Sequence, residues 1–325
     1  MLVLNQAAVA ESLSHAETID ALFDTMQSVS AGDVILPLRQ FMPIPKTAGK
    51  FTLMPGYLGS PRSFGVKIVS KFPRQPDSPY GSHAGAVMIF DAEIGIPLAL
   101  LDGGELTAIR TAAASGLATR ELARKNAETL VLLGCGEAAH HHLQAMLAVR
   151  TLKKVIVWGR SVERAQAFVE AQQLPLSIEI LAEADAETAV ASADIICTVT
   201  SATTPILKGE WIQPGTHINL VGAAVRTSAE ADTDVVKRSR FYIDYRASAM
   251  AQAGELLNAI DEGIITADHI IGEIGEVLAQ EKPGRQSATE ITVYKSLGVA
   301  AQDLAAASCA FNNALERGKG INVEW

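Results

Sequence analysis

Residues 129–148 read TLVLLGCGEAAHHHLQAMLA. Five residues suited to a buried strand, TLVLL, run into Gly134-Cys135-Gly136-Glu137-Ala138-Ala139, and an apolar-periodic helix pattern follows. A strand that passes through closely spaced glycines into a helix N-terminus aims backbone N–H groups and the helix dipole at a phosphate. Gly134 permits the tight turn, Gly136 lets the backbone approach a pyrophosphate, and Ala139 keeps helix and strand close. A GxGxxG-like loop is a weak signal alone, so its neighbours decide. Downstream, Lys154–Trp158, Ile178–Leu181, Asp194–Val199, His217–Val221 and Phe241–Asp244 are short apolar runs separated by helical segments or turns. That alternation predicts a parallel sheet covered on both faces, an α/β fold of the doubly wound Rossmann type. The second strand of this series ends in KKVIVWGRS, with Gly159, Arg160 and Ser161 where an NAD-binding chain places an acid on the ribose hydroxyls. A guanidinium and a hydroxyl there suit the 2′-phosphate of NADPH, with NADH as the weaker alternative.

Upstream of the loop, ELTAIRTAAASGLATRELARK at 105–125 is rich in Ala and Leu without proline, which predicts one long helix joining two domains. Ile19, Leu22, Phe23 and Met26 recur at helical spacing and predict an amphipathic helix over 16–29, closed by Gly32. Between them, Phe51–Pro55, Phe64–Ser70, Ala86–Asp91 and Pro97–Asp102 alternate with turn-rich stretches and predict an antiparallel or mixed sheet. Thr292–Arg317 is Ala-rich and predicts a terminal helix returning to the first domain. The expected organisation is a Rossmann domain at 119–293 and a second α+β domain formed by 1–118 and 294–325.

The chain has 325 residues, 48% of them hydrophobic, enough for two substantial cores. A formal charge of -9 without any Lys/Arg-rich run disfavours nucleic acid or an acidic membrane surface as partner, and points to a small molecule. Cys135, Cys197 and Cys309 form no CxxC pair, which fits a reducing cytoplasm and no metal site. No leader and no apolar stretch of roughly 18 residues is visible, so a soluble, unprocessed protein is expected. His140, His141 and His142 are consecutive on the helix after the loop and point in different directions, so they read as helix-surface residues rather than a metal site, and Trp158 as strand core.

Several stretches are more specific than the glycine loop: Pro37-Leu38-Arg39, Leu53-Met54-Pro55, Gly65-Val66-Lys67, SHAGAVMIFDAEIGIPLALLDGGELTAIRTAA at 82–113, and EIGEVLAQEKPGRQSATEITVYKSLGVAAQDLAAA at 273–307. With them the chain resembles the ornithine cyclodeaminase/μ-crystallin family over nearly its whole length. The resemblance implies a homodimer in which 1–118 and 294–325 form a substrate and dimerisation domain around the inserted nucleotide domain. The family's members include a cyclodeaminase, an alanine dehydrogenase and reductases of cyclic ketimines. It implies that Arg39, Lys67 and Arg110 hold the α-carboxylate of a cyclic imino acid or amino acid, a task suited to guanidinium and ammonium groups. It places Thr111, Thr198, Val199 and Thr200, with Gly222 and Ala223, beside the cofactor, together with Gly134, Gly136, Glu137, Ala138 and the Gly159-Arg160-Ser161 turn. Glu137 departs from the family, where a glutamine is common.

The segment NLVGAAVRTSAEAD at 219–232 separates the reactions. By the resemblance, the cyclodeaminase carries an acid that acts on the substrate amine where this chain has Ala224. Alanine holds no proton, so oxidative deamination loses its expected base. Asp232 is near in sequence, but is expected to start a helix or face solvent. A protonated imine needs no such base, so the expected reaction is NADPH-dependent reduction of a cyclic α-imino acid: Δ1-pyrroline-2-carboxylate to L-proline, with Δ1-piperideine-2-carboxylate to L-pipecolate beside it. Lys67, water, or His83 in GSHAG, which by the resemblance matches a histidine of the ketimine-reductase branch, is the expected proton carrier. Ornithine cyclodeamination, alanine dehydrogenation and non-catalytic NADPH binding of the μ-crystallin kind are the alternatives.

Overall fold

The computed structural model describes residues 1–73 and 83–324. They form two compact units, one of residues 1–113 with the chain from Val299 onward, the other Ala114–Gly298. The expected edges at 118/119 and 293/294 fall inside the second unit.

The first unit begins with β1 (Leu2–Leu4), α1 (Gln6–Ser12) and α2 (His15–Ser30), the last closed at its N-terminus by a reciprocal Ser14–Glu17 capping box. Then come β2 (Val34–Ile35), β3 (Gln40–Pro43), β4 (Lys50–Leu58), β5 (Ser63–Lys71), β6 (His83–Phe90) and β7 (Pro97–Asp102). Helix α3 (Gly103–Leu122) follows at once, its first turn capped by Asp102, whose Oδ1 accepts from Glu105 N at 2.8 Å. The predicted β-run between the first helix and α3 is an antiparallel β4–β5–β6–β7 meander; β1 joins β7 in parallel, and β2 and β3 pair with β4. Along β5 the residues Ser63, Gly65, Lys67 and Val69 are buried while Ile68 is exposed, the period of two that marks a sheet covered on one face. The covered face receives the last helix of the chain: Gly56 and Gly65 admit Ala300 and Leu304, and a Cβ on Gly56 would lie 2.8 Å from that of Ala300.

The second unit is a wholly parallel eight-stranded sheet. In chain order its elements are β8 (Thr129–Leu133), α4 (Glu137–Val149), β9 (Lys154–Trp158), α5 (Val162–Glu170), β10 (Glu179–Glu183), α6 (Ala186–Val190), β11 (Ile195–Thr198), β12 (His217–Leu220), α7 (Thr233–Arg238), β13 (Arg240–Ile243), α8 (Arg246–Gln252), α9 (Gly254–Asp261), β14 (Ile270–Glu273), α10 (Ile274–Leu278) and β15 (Thr292–Lys295). The spatial order is β10-β9-β8-β11-β12-β15-β13-β14. Strand order reverses between β8 and β11, the point of a doubly wound sheet where a crevice opens at the carboxyl ends. The core beneath is built by Val131, Leu133, Ile196, Ile218, Leu220, Phe241, Ile243 and Val293, with Trp158 packed at its edge.

One expectation is corrected here. Thr292–Lys295 is not the start of the terminal helix but strand β15, paired on both sides by β12 and β13. All four residues are buried, and a β-branched and aromatic run (Thr, Val, Tyr) outweighs the alanines that follow it. The terminal helix, α11 (Ala300–Arg317), begins only after Gly298, which has φ 78°, and β16 (Ile321–Asn322) closes the chain on β1.

Candidate functional site

In the first unit, register brings the predicted cations together. Met54 of β4 lies opposite Lys67 of β5, and Gln40 of β3 opposite Leu53, so Arg39 enters β3 level with the Met54–Lys67 row. Lys67 is buried at 5% exposure beside α3 and α11. Its Nζ lies 2.8 Å from Asp303 Oδ1, and the same oxygen accepts Arg110 Nε at 2.8 Å. Arg110 Nη1 donates to Gln302 Oε1 at 3.0 Å, which leaves Nη2 without a partner among the described residues. Two cations therefore share one carboxylate, and their excess positive charge sits where water is largely excluded. Burial, then the Arg110 charge, lower Lys67 to about 7 against the pull of Asp303, with Arg39 lowering it further. Burial raises the Asp303 carboxyl, but Arg110 and Lys67 together outweigh it and hold it below its ordinary value. Asp303 Oδ2 is buried and accepts nothing.

Sequence reasoning missed Asp303 and Gln302. The signal was present: Asp303 is the sole acid between Glu290 and Glu316, set among alanines in the first turn of α11, where a carboxylate also complements the helix dipole. His83 opens β6 opposite Lys71. Its side chain, with the residues before it in GSHAG, lies outside the described residues. Thr111, one residue past Arg110, turns its hydroxyl to Thr107 O at 2.6 Å.

In the second unit the glycine loop joins β8 to α4. Gly134 has φ 133°, and a Cβ there would meet Val199 O at 2.7 Å, so the position demands glycine. Gly136 is the N-cap of α4, has no side-chain cap, is exposed, and a Cβ on it would meet nothing. The helix N-terminus thus opens to solvent at the switch point, which fits a pyrophosphate. Glu137 is exposed, and Ala138 gives its carbonyl to His142 Nδ1 at 2.7 Å.

At the end of β9, Gly159 packs on Cys135, where a Cβ would meet Sγ at 2.8 Å. Arg160 is exposed with no ion-pair partner among the described residues. Ser161 caps α5, accepting from Arg164 N at 3.2 Å and donating to Glu163 Oε2 at 2.6 Å. Its hydroxyl is therefore engaged, and of the two side chains Arg160 is the one exposed without an ion-pair partner among the described residues.

Thr198 ends β11, Val199 and Thr200 follow it, and Gly222 and Ala223 follow β12, all at the carboxyl edge of the sheet. Ala224 stands beyond them, half-buried. Asp232 caps α7, its Oδ1 accepting from Val235 N and from Gly209 N, each at 3.0 Å, so the carboxylate is held in place as a helix cap.

The histidine run departs from expectation. Only His140 is exposed; His141 is 8% exposed and His142 fully buried, with Nε2 3.1 Å from Ser115 Oγ. Burial lowers both His141 and His142 to about 4. Residues 138–142 are the first turns of a helix that covers the sheet, so the run turns two rings inward.

A buried cluster of excess positive charge in one unit and a glycine-opened parallel sheet in the other define a protein of the nucleotide-binding α/β class. The family model described as the ornithine cyclodeaminase/mu-crystallin family matches residues 1–318. The chain belongs to the ornithine cyclodeaminase/mu-crystallin family. It is 35% identical over 326 residues to the Delta(1)-pyrroline-2-carboxylate reductase of Bacillus cereus, with 100% of both chains covered. The structure of Thermococcus litoralis Delta(1)-pyrroline-2-carboxylate reductase in complex with NADH and L-proline superposes with TM-score 0.95 and 35% identity, covering 99% of this chain and 100% of that one. An archaeal alanine dehydrogenase dimer with bound NAD superposes with TM-score 0.91 and 31% identity, covering 100% of this chain and 99% of the other.

Proposed function

We propose that this chain is an NADPH-dependent ketimine reductase that converts Δ1-pyrroline-2-carboxylate to L-proline and also accepts Δ1-piperideine-2-carboxylate. The observation that carries the reading is the buried Lys67–Asp303–Arg110 cluster with its excess of positive charge. Arg110 Nη2, Lys67 and Arg39 clamp the planar carboxylate, and Asp303 fixes the two inner cations without neutralising the pocket. The dinucleotide, when bound, supplies hydride to the imine carbon. With a value of about 7, Lys67 exchanges a proton with the ring nitrogen near neutral pH. Ala224 and the helix-capping Asp232 provide no carboxylate for abstracting a proton from an amine, which favours an imine already formed over cyclodeamination.

The preference for NADPH rests on Arg160 at the end of β9, with Gly134, Gly136 and the α4 N-terminus for the pyrophosphate. In this reading residues 119–293 serve the nucleotide and the flanking segments serve substrate and dimerisation.

A homodimer is supported by the outward face of the meander. Phe51, Leu53, Val66, Ile68, Met88 and Leu100 are half-buried or exposed there in an unbroken apolar patch, opposite the face that α11 covers. The archaeal relative is itself a dimer.

The test is oxidation of NADPH and of NADH, followed spectrophotometrically, with pyrroline-2-carboxylate, piperideine-2-carboxylate, and pyruvate plus ammonia. Turnover of the cyclic imines with NADPH is expected. Activity confined to pyruvate plus ammonia would make the chain an alanine dehydrogenase instead.

A further inference from the structure

The carboxyl edge of the parallel sheet hides a second cluster that the mechanism above does not use. Glu230 is fully buried, and its carboxylate accepts five hydrogen bonds: Thr198 Oγ1 at 2.7 Å, Thr200 N at 2.8 Å, Thr200 Oγ1 at 2.7 Å, Gly222 N at 2.6 Å and Ala223 N at 3.2 Å. These donors belong to the two loops that leave β11 and β12, so one side chain ties both strand ends together. The Glu230 N–H donates to Glu255 Oε1 at 3.0 Å; Glu255 Oε2 lies 2.9 Å from Lys295 Nζ; and Lys295 donates to Ala223 O at 2.5 Å. The contacts form a closed ring from Glu230 through Glu255 and Lys295 back to Ala223. All three charged side chains are 0% exposed.

A buried charge ring of this kind gives little stability that well-packed apolar side chains would not, because desolvation offsets the Coulomb attraction. What it does give is geometry. Backbone N–H groups at strand ends are otherwise free to reorient toward water, and here each is pinned by one rigid acceptor. Gly222 is shaped for the same purpose: a Cβ would meet Thr200 O at 2.1 Å and Glu230 Oε1 at 2.5 Å, so only glycine lets the carboxylate lie under the loop.

We infer that Glu230 is a positioning residue for the nicotinamide end of the cofactor, holding the Thr198–Thr200 and Gly222–Ala223 loops in the conformation that receives it. The inference rests on reading this sheet edge as the cofactor's seat. Glu230 itself is fully enclosed and acts through the loops. Preformed loops spare the nucleotide the ordering that it would otherwise impose on binding.

The experiment is titration of NADPH, and separately NADH, by nucleotide fluorescence in the absence of imino acid, on the full chain and on E230Q, T198V and T198S. Thermal melting and steady-state kinetics accompany it. E230Q places an amide N–H against Thr200 N–H or the Gly222–Ala223 pair, and is expected to weaken nucleotide binding about tenfold or more, the scale of one or two lost hydrogen bonds to a charged acceptor.

Thr198 is fully buried and its hydroxyl serves Glu230, so T198V is expected to lower the melt modestly and to weaken nucleotide binding severalfold at temperatures where the variant is fully folded, and T198S to restore both. In both weakened variants KM should rise for the nucleotide and stay constant for the imino acid. Nucleotide affinity in T198V equal to that of the unaltered chain would overturn the inference, including where E230Q does not fold. A chain that binds nucleotide but reduces no imine would sink the proposed reaction instead, and the titrations would still decide on Glu230.

Discussion

Asp303 shows how a residue with no predicted role organises those that have one. Removing its charge in D303N leaves Lys67 and Arg110 facing each other in a buried site, and breaking a buried pair is strongly unfavourable. The expected result is a loss of kcat/KM of about a hundredfold or more, measured with saturating NADPH, with the alkaline limb of the pH profile shifted downward.

In the unaltered chain that limb is expected near pH 7, where Lys67 loses its proton and the clamp loses one cation; K67R should erase it. Stability runs the opposite way. Between about 7 and the ordinary 10.5 the unfolded lysine binds a proton that the folded one does not, so folding gains as pH rises through that window. The three cations were legible because each sits in a distinctive short motif. Asp303 and Glu230 were not, because a lone acid in a sequence reveals neither its burial nor the donors that converge on it from distant strands.

At the scale of elements, the glycine loop separates two uses of one residue type. Gly134 turns at positive φ against Val199 O, so G134A is expected to lower stability by about 1–3 kcal/mol. Gly136 meets nothing, so G136A should leave the melting temperature unchanged and weaken nucleotide binding alone. Paired melting and titration curves for the two variants check this. R160A should raise KM for NADPH about tenfold while sparing NADH, as loss of one charge-assisted contact would.

Periodicity located nearly every parallel strand within a residue or two, because buried parallel strands are continuous apolar runs. It failed at β15, where four strand residues border an alanine-rich helix, and at β14, whose Ile270-Ile271-Gly272-Glu273 carries only two apolar residues before a glycine and an acid. The inward rings of His141 and His142 were hidden for a different reason: a polar residue near a helix start reads as surface until a neighbour such as Ser115 is known to meet it.

At the scale of the whole molecule, two predictions follow from what the folded chain encloses and what it leaves open. His142 and His217 are buried and held near 4 and 3, chiefly by desolvation, whereas both take up a proton near 6.5 when unfolded. Their contribution to stability is complete above pH 6.5 and declines as pH falls toward 4, so the melting temperature should drop through that interval. The apolar outer face of the meander predicts a dimer by sedimentation, and I68D together with M88D should yield monomers with an intact far-ultraviolet spectrum. Two-unit architecture was legible from the switch between alternating strands and strand–helix repeats. The edges of the units were not, since α3 and the β15–α11 passage contribute to both.

The position of β15 between β12 and β13 bears on how the chain comes into being. As the polypeptide emerges from its N-terminus, β8 to β12 can pair with one another. β13 and β14 can pair only with each other until residues 292–295 arrive to be laid between the two groups. A few residues later α11 covers the meander and delivers Asp303 to Lys67 and Arg110. Neither unit can therefore close during most of synthesis, and both do so within the same last stretch of chain. Nascent chains arrested before residue 292 should stay protease-sensitive throughout, with resistance arising in the second unit once β15 has cleared the ribosome and in the first once α11 has followed.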